Sequence, residues 1–167
     1  MQTKKTTQTE NSLVSARKKA LQNINQMPYN RQWIAEVEGV NYINDSVSVD
    51  LEWALETIAQ SEKPIIWILG QTKDVIDYQS LKAFLNGKVE AIISYGEFTK
   101  EHNYKMEAMV PFYSVQNDLE GAFKRARAVA NPKFTIVFSP ACADEKWWDD
   151  VEQRGVFFNQ LINNIPL

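Results

Sequence analysis

The chain has 167 residues, 44% hydrophobic and 23% charged, a composition typical of one globular domain. One cysteine, Cys142, and one histidine, His102, exclude an internal disulfide framework and leave too few ligands for a structural zinc site. Acidic residues outnumber basic ones by 21 to 18, which argues against a nucleic-acid partner. The longest apolar run, residues 64–69, is too short to span a bilayer. With no apolar segment behind the polar N-terminus, we expect no signal peptide, no membrane partner and a cytoplasmic location.

The N-terminal part combines a polar lead-in with a predicted amphipathic helix. Residues 1–10 are polar and rich in threonine, whereas residues 11–26 have the apolar spacing of a helix that ends before Pro28. The apolar face consists of Leu13, Ala16, Ala20, Leu21 and Ile24, while Arg17, Lys18, Lys19 and Gln22 point elsewhere. We therefore predict a lead-in and helix over residues 1–27 and one α/β domain over residues 28–167.

A β-hairpin and a helix come next. Residues 32–37 and 40–43 are rich in aromatic and branched side chains, and Glu38-Gly39 joins them in a tight turn. Apolar residues then recur at helical spacing over residues 50–60, and either Ser48 or Asp50 is placed to cap this helix.

The remainder alternates strands with helices. Predicted strands cover residues 64–69, 89–95, 109–115 and 134–138. Predicted helices lie around residues 81–85, from Asn117 to before Pro132, and near the C-terminus. The core side of the last helix is formed by Trp148, Val151, Phe158 and Leu161. This alternation predicts an α/β fold: a Rossmann-like, mostly parallel sheet of about six strands with helices on both faces, preceded by a helix and a β-hairpin.

In open parallel sheets ligands bind beyond the carboxyl ends of the strands, and polar residues gather there in this chain. The sequence contains neither a dinucleotide fingerprint nor a Walker A motif. We interpret His102, within the polar stretch 99–105, as a solvated loop residue. Cys142 has two interpretations: a small buried core thiol, which we favour, or a thiol activated by a helix N-terminus.

Three blocks of the sequence together carry a resemblance. The first covers residues 28–46, the second runs from Lys63-Pro64 through Gly70 to Leu81, and the third joins Ser139-Pro-Ala-Cys-Ala143 to Glu152-Gln-Arg-Gly155. They resemble, in the same order over about 150 residues, the C-terminal domain of the Mur ligases, and most of all its D-glutamate-adding branch in peptidoglycan-precursor synthesis.

The resemblance implies a substrate-binding set formed by Asp45, Ser46, Lys73, Ser139 and Asp144. It assigns no catalytic residue and no metal ligand to this domain. A complete ligase of the family also contains a UDP-sugar domain and an ATPase domain, and it uses ATP and Mg. Because 167 residues hold neither of those domains, we expect the chain to carry no cofactor on its own.

Several residues depart from the family pattern. The family's Asp-Ser-Lys-Ala-Thr-Asn stands here as residues 45–50, with Val47 and Val49 in place of the lysine and the threonine. Asp74 occupies the lysine position of Gly-Gly-x-x-Lys, and Asp144 replaces a serine that helps to hold the glutamate carboxylate in the family. Valine cannot donate a hydrogen bond and aspartate repels an anion, so these changes disfavour D-glutamate binding.

Three functional hypotheses remain open. The first is a stand-alone binding or accessory module without autonomous ligase activity, with a separate ATPase-domain chain or a small-molecule ligand as its partner. The alternative is part of an ATP-dependent, D-glutamate-adding ligase that works with separate UDP-sugar and ATPase domains. The third is a small-molecule binder whose acidic rim favours a cationic ligand. An assay for ligation distinguishes the second from the others.

Overall fold

The computed structural model describes residues 27–143, 146 and 148–166. The strands are β1 (Gln32–Val37), β2 (Val40–Asn44), β3 (Ile65–Leu69), β4 (Val89–Tyr95), β5 (Phe112–Gln116) and β6 (Thr135–Phe138). The helices are α1 (Leu51–Gln60), α2 (Tyr78–Leu85), α3 (Lys100–Glu107), α4 (Leu119–Val129) and α5 (Val151–Asn163). The predicted helix over residues 11–26 lies outside the described residues.

All six strands form one sheet in the order β1-β2-β6-β3-β4-β5. Strand β1 runs antiparallel to β2 across the predicted hairpin, and every other neighbouring pair is parallel. The turn is tight because Glu38 and Gly39 both have positive φ, 53° and 78°, as a two-residue hairpin turn requires. The predicted mostly parallel α/β sheet is therefore confirmed.

Strand β3 shows why the core has two layers. Side chains alternate along a strand, so Ile65, Trp67 and Leu69 face α1, α2 and α3, while Ile66 and Ile68 face α4 and α5. All five are at most 1% exposed. A strand buried on both faces has no polar side, which explains the continuous apolar run in the sequence.

Aspartates cap four of these helices, with Asp77 as the cap of α2. Carboxylate oxygens of Asp50, Asp118 and Asp150 each accept a 2.8 Å hydrogen bond from a backbone N–H in the first turn of α1, α4 and α5. Asp50 is therefore the cap of α1. The prediction that α4 opens at Asn117 is wrong by one residue, because the carboxylate that reaches Gly121 N–H belongs to Asp118.

Helix α3 was not predicted, and the interpretation of His102 as a solvated loop residue is wrong. His102 lies in the first turn of α3 and is half-buried, with its ring stacked on Phe98 at 4.8 Å between centroids. Its Nδ1 lies 3.0 Å from the hydroxyl of Tyr78. The sequence hides this helix because Met106 is its one fully buried side chain, too little for an apolar periodicity.

Two further expectations, for the start of β5 and for the buried face of α5, differ from the structure. Strand β5 begins at Phe112 rather than at Met109, directly after Pro111, which lacks the N–H that a ladder needs. In α5 Phe158 is fully buried as predicted, but Val151 and Leu161 are half-buried, and the half-buried Trp148 precedes the helix. The positions that α5 buries beside Phe158 are Arg154, Gly155 and Ile162. A buried arginine inside the apolar stripe explains why the helical pattern there is irregular.

Candidate functional site

The candidate site is built around the carboxyl group of Asp45, directly after β2. Asp45 is fully buried. Its Oδ1 accepts a hydrogen bond from the backbone N–H of Arg31 at 3.1 Å, and its Oδ2 accepts from the hydroxyls of Thr57 at 2.6 Å and Ser139 at 2.7 Å. Three donors from three separate parts of the chain therefore converge on one carboxyl group.

Burial raises the pKa of Asp45 above its ordinary value of 3.8, because removing a carboxylate from water penalises its charged form. The hydrogen bonds from Thr57, Ser139 and Arg31, together with the positive charge of Arg31, act in the opposite direction and offset part of this effect. The pKa is thus set by the balance between burial and the donors around it.

Ser139, at the end of β6, extends this network. Its hydroxyl oxygen lies 2.9 Å from that of Ser48, which also accepts a hydrogen bond from Ala141 N–H at 3.2 Å. The Ser139 carbonyl accepts a bond from the indole of Trp67 on β3, at 2.7 Å. Ala141 holds a positive φ of 54° at this point. The ends of β2, β3 and β6 are consequently joined through side chains as well as through the sheet.

Ser46 binds to α5 instead of facing outward. Its hydroxyl donates to the carbonyl of Val151, and the guanidinium of Arg154 donates to its carbonyl and, at 3.3 Å, to its hydroxyl. Arg154 also donates to the carbonyl of Cys142 at 3.0 Å and is only 1% exposed. These contacts fasten the N-terminal half of α5 to the strand ends.

Arg154 is a site residue that the sequence reasoning did not single out, although it belongs to the third block of the resemblance. Of the two interpretations of Cys142, the core thiol fits its position, because the residue is only 3% exposed. Its Sγ lies 3.5 Å from the Arg154 guanidinium. Burial of this kind matches the core-thiol interpretation.

Of the other predicted site residues, Lys73 is not part of this buried network. Lys73 is exposed on the loop that follows β3. The neighbouring Asp74 accepts a 2.6 Å hydrogen bond from the backbone N–H of Leu51, so the residue at the family's lysine position helps to cap α1. Asp144 lies outside the described residues. Asp45, Ser46 and Ser139 are therefore brought together in the buried network, whereas Lys73 is exposed.

The two valines at family-specific polar positions differ in their surroundings. Val47 is 3% exposed and belongs to the buried interior, while Val49 is 39% exposed. A lysine at position 47 would place an ammonium group in an apolar environment unless the loop moved. The loop after β2 is therefore built around an apolar side chain at this position.

The described residues contain neither a metal-binding cluster nor a membrane-spanning helix. Within residues 27–143, 146 and 148–166, no group of three or more histidine, cysteine, aspartate or glutamate side chains is placed to hold a metal ion. In the same part of the chain, no helix has the length and apolarity needed to cross a bilayer. The expectation that the chain carries no cofactor of its own stays a prediction.

Comparison with known proteins gives these residues a family. The chain is 32% identical over 149 residues to a UDP-N-acetylmuramoylalanine–D-glutamate ligase of Alkaliphilus metalliredigens, which covers 88% of this chain and 32% of the relative. The enzyme of the same name from Hydrogenobaculum sp. is 30% identical over 145 residues, covering 87% of the chain and 35% of the relative. No family model matches the chain.

A solved structure has the same fold as this chain. The MurF ligase of Thermotoga maritima, solved in complex with ADP, superimposes with a TM-score of 0.52 over 84% of this chain and 33% of its own, at 13% sequence identity. The chain spans about a third of the length of the curated relatives it matches. By its sequence blocks and its fold, this chain belongs to the Mur ligase family as a domain of the C-terminal type, most like that of the D-glutamate-adding ligases.

Proposed function

We propose that this domain, on its own, is a binding or accessory module without ligase activity. The observation that carries the proposal is the burial of the family-matched polar groups. Asp45, Ser46 and Ser139 are all 0% exposed, and their side chains bond to other parts of the same chain. Polar groups used in this way hold the fold together and offer no free hydrogen bond to a substrate.

Other residues of the same loops support the proposal. Val47 and Val49 replace the lysine and threonine of the family pattern, and Asp74 replaces a lysine. An anionic amino acid such as D-glutamate needs positive charge or donors at its carboxylates. Here the position of one such cation holds a carboxylate that accepts a bond from Leu51 N–H.

A ligation assay tests this proposal. The purified chain is incubated with Mg-ATP, UDP-N-acetylmuramoyl-L-alanine and D-glutamate, and both phosphate release and the UDP-linked product are measured. The complete Alkaliphilus metalliredigens relative serves as the positive control. We expect neither phosphate nor product above the level without the chain. Product that forms in proportion to the concentration of the chain would overturn the proposal.

The second candidate is an accessory domain that completes a D-glutamate-adding ligase in trans. It is favoured by the likeness to such ligases over 88% of the chain, which matches a third of their length. The partner would be a separate chain bearing the UDP-sugar and ATPase domains, and the ATP and Mg would bind with that partner. Mixing this chain with such a purified partner and the three substrates tests the idea, since it requires product only when both chains are present.

The third candidate is a small-molecule binder with a preference for cations. The carboxylates of Asp50 and Asp74 at the start of α1 favour it. A thermal-shift screen of amino acids, amines and nucleotides tests it, because a ligand at about 100 times its Kd adds roughly 2.7 kcal/mol to the stability. A cytoplasmic location belongs to all three proposals and is supported by the single cysteine, which cannot form an internal disulfide.

A further inference from the structure

A cleft of about 610 Å³ opens between α1 and α2, on the face of the sheet that these two helices cover. Its walls are formed by Leu51 and Leu55 of α1 and by Leu81 and Phe84 of α2. Val75, on the loop before α2, also lines the cleft and is 99% exposed, so an apolar side chain stands in water at its mouth. Pockets for small organic ligands have this size and are lined mainly by apolar side chains.

The acidic residues of the α1–α2 cleft lie at one end of it. Strands β2, β3 and β4 run in the same direction, so the helices that connect them both begin at the carboxyl edge of the sheet. Glu52 lies in the first turn of α1, and Asp77 is the cap of α2. Asp74 accepts a hydrogen bond from the N-terminus of α1. All three line the cleft, and none of its lining residues in the described part of the chain is basic.

Negative charge at this acidic end is available to a ligand. Hydrogen bonds from the hydroxyl and the backbone N–H of Ser80 hold the pKa of Asp77 below its ordinary value of 3.8. Glu52 and Asp74 are exposed, so a ligand reaches them without displacing a buried group. The two helix N-termini carry about half a positive charge each, which leaves the three carboxylates with an excess of roughly two negative charges.

The opposite end of the cleft is apolar and already has a cation beside it. Phe84 lies about 10 Å further along α2 than Asp77, at 1.5 Å per residue. The ammonium group of Lys88 lies 4.4 Å from the centroid of the Phe84 ring and donates a 2.8 Å hydrogen bond to the Phe84 carbonyl. A second cation is therefore disfavoured at this end, where the walls suit an uncharged group. The cleft thus distinguishes the two ends of a ligand.

We propose that the α1–α2 cleft binds an organic ammonium compound with an apolar body, the charged nitrogen at the acidic end and the body against the walls of α1 and α2. This inference rests on the third candidate function above and adds to it a site and a class of ligand. Binding removes the apolar walls and Val75 from water, while the carboxylates orient the nitrogen. The same carboxylates repel an anionic amino acid such as D-glutamate.

A second cleft, of about 350 Å³, is the rival site for such a compound. It is lined by Trp148 and by Val156 and Phe157 of α5, with Asp150 and Glu152 at its edge. The α1–α2 cleft is favoured because it is larger and carries three carboxylates rather than two.

NMR titration of the full-length chain tests the ligand class with four compounds. Phenylbutylamine, phenylbutyrate and phenylbutanol share an apolar body and differ in charge, while putrescine is a cation without such a body. We expect phenylbutylamine to shift amide signals of residues 51–55 and 74–84, with a Kd at least tenfold lower than those of the other three. Equal affinity for phenylbutyrate, or shifts confined to residues 148–160, overturns the assignment of this cleft. No binding of either amine overturns the third candidate function as well.

Substitutions at the two clefts locate the nitrogen. Glu52→Gln/Asp74→Asn removes two charges from the acidic end and keeps an acceptor for the N-terminus of α1, while Asp150→Asn/Glu152→Gln is the matched control at the rival cleft. Val75→Lys adds a positive charge on a side chain that is almost fully exposed. We expect the Kd of phenylbutylamine to rise at least fivefold in the first and third variants and to stay within twofold in the control. Unchanged affinity in the first and third variants, or a loss confined to the control, overturns the proposal.

A partner helix and a second copy of this chain are the alternative occupants of the cleft. An amphipathic peptide of leucine and lysine represents the helix, and spectra of the chain alone over a range of concentrations represent the second copy. We expect neither to shift the amide signals of the α1–α2 cleft at concentrations at which phenylbutylamine saturates it. Shifts caused by either one at lower concentrations overturn the assignment to a small ligand.

Discussion

At the scale of the residue, the donors and acceptors around Asp45 explain why the polar groups of the buried hydrogen-bond network at the strand ends are all paired. The three groups around Asp45 are all used as donors, and its two oxygens accept from them. Ser139 gives its one proton to Asp45, so Ser48 supplies the proton that joins the two serine hydroxyls. Each polar atom thus has a defined role in the fold, and a substrate would have to displace one of them.

The substitution Asp45→Asn tests these assigned hydrogen bonds. Its amide replaces one acceptor oxygen by a donor, which leaves either Arg31 N–H or the hydroxyls of Thr57 and Ser139 facing another donor. We expect a loss of about 1–3 kcal/mol in the free energy of unfolding, measured by urea denaturation. Ser80→Ala, which removes an exposed hydroxyl bonded to Asp77, serves as the surface control and should change stability far less.

The pH dependence of the same variant has a definite sign. Burial raises the pKa of Asp45, so the folded state holds its proton more tightly than the unfolded state does. From 3.8 up to the raised pKa, the wild-type chain therefore loses stability with rising pH relative to Asp45→Asn. The stability gap between the two should narrow across this window, and a gap that widens would contradict the burial argument.

His102 gives the opposite pH dependence. Burial lowers the pKa of His102 below 6.5, so the unfolded chain binds more protons between the lowered pKa and 6.5. Its contribution to stability is present above pH 6.5 and is lost as the pH falls through the lowered pKa. Because His102 is the one histidine, its NMR titration gives this pKa directly. Tyr78→Phe, which removes the hydroxyl 3.0 Å from Nδ1, should leave the midpoint below 6.5, since burial is the cause.

At the scale of the element, close approach decides where α5 sits. A Cβ at Gly155 would lie 2.5 Å from Cγ of Tyr29, and the Gly155 carbonyl accepts a 2.9 Å bond from Asn44. Glycine in a helix is otherwise unfavourable by roughly 0.5–1 kcal/mol relative to alanine. Its presence here is explained by the aromatic ring that packs directly on the helix backbone.

Gly155→Ala should therefore destabilise the domain by about 1–3 kcal/mol, the reverse of the usual effect in a helix. In a Tyr29→Ala background the ring is gone, and the same substitution should be neutral or stabilising. Urea denaturation of the four chains in this double-mutant cycle measures the coupling. Equal effects of Gly155→Ala in both backgrounds would show that the ring is not the constraint.

Elements also show where sequence reasoning succeeds and fails. Strands β3 and β4 were predicted closely because β3 is a continuous apolar run, β4 is mostly apolar, and the two are followed by Gly70 and Gly96. Helix α3 was missed because Thr99 caps a mostly polar segment that tertiary contacts of Met106 and His102 hold in place. Local pattern is sufficient where a whole element is buried and insufficient where one or two residues anchor it.

At the scale of the whole molecule, the sheet order sets the gradient of stability. Strands β6 and β3 lie at the centre and are fully buried, whereas β1 and β5 are edge strands with half-buried or exposed side chains. Amides of the central strands can exchange only when the domain unfolds. The parallel β6–β3 pairing therefore represents the most protected part of the described fold.

Native-state hydrogen exchange should show this gradient. We expect amides of β3 and β6 to give the free energy of global unfolding, and the outward-facing amides of β1 and β5 to exchange by smaller openings. The measurement is the exchange rate of resolved NMR amide signals as a function of low denaturant concentration. Slowest exchange in β1 would contradict the assigned sheet order.

Some residues of the candidate site were predicted from the sequence, and others were found only in the structure. The resemblance pointed to Asp45, Ser46 and Ser139, and the parallel sheet predicted that a site would lie beyond the carboxyl ends of its strands. No sequence pattern indicated that Arg31 and Thr57 would donate hydrogen bonds to Asp45. These residues meet only because α1 packs beside the start of β1, which is a long-range contact.

The sequence alone determined the α/β class, the hairpin, the buried strands and the Mur ligase relationship, because each depends on local periodicity or on contiguous motifs. The tertiary structure decided how the polar residues are used. Asp45 accepts three bonds, Ser46 binds to α5, and Arg154 is buried among carbonyls. The physical reason is that burial and hydrogen-bond partners are set by residues distant in sequence, and no local pattern encodes them.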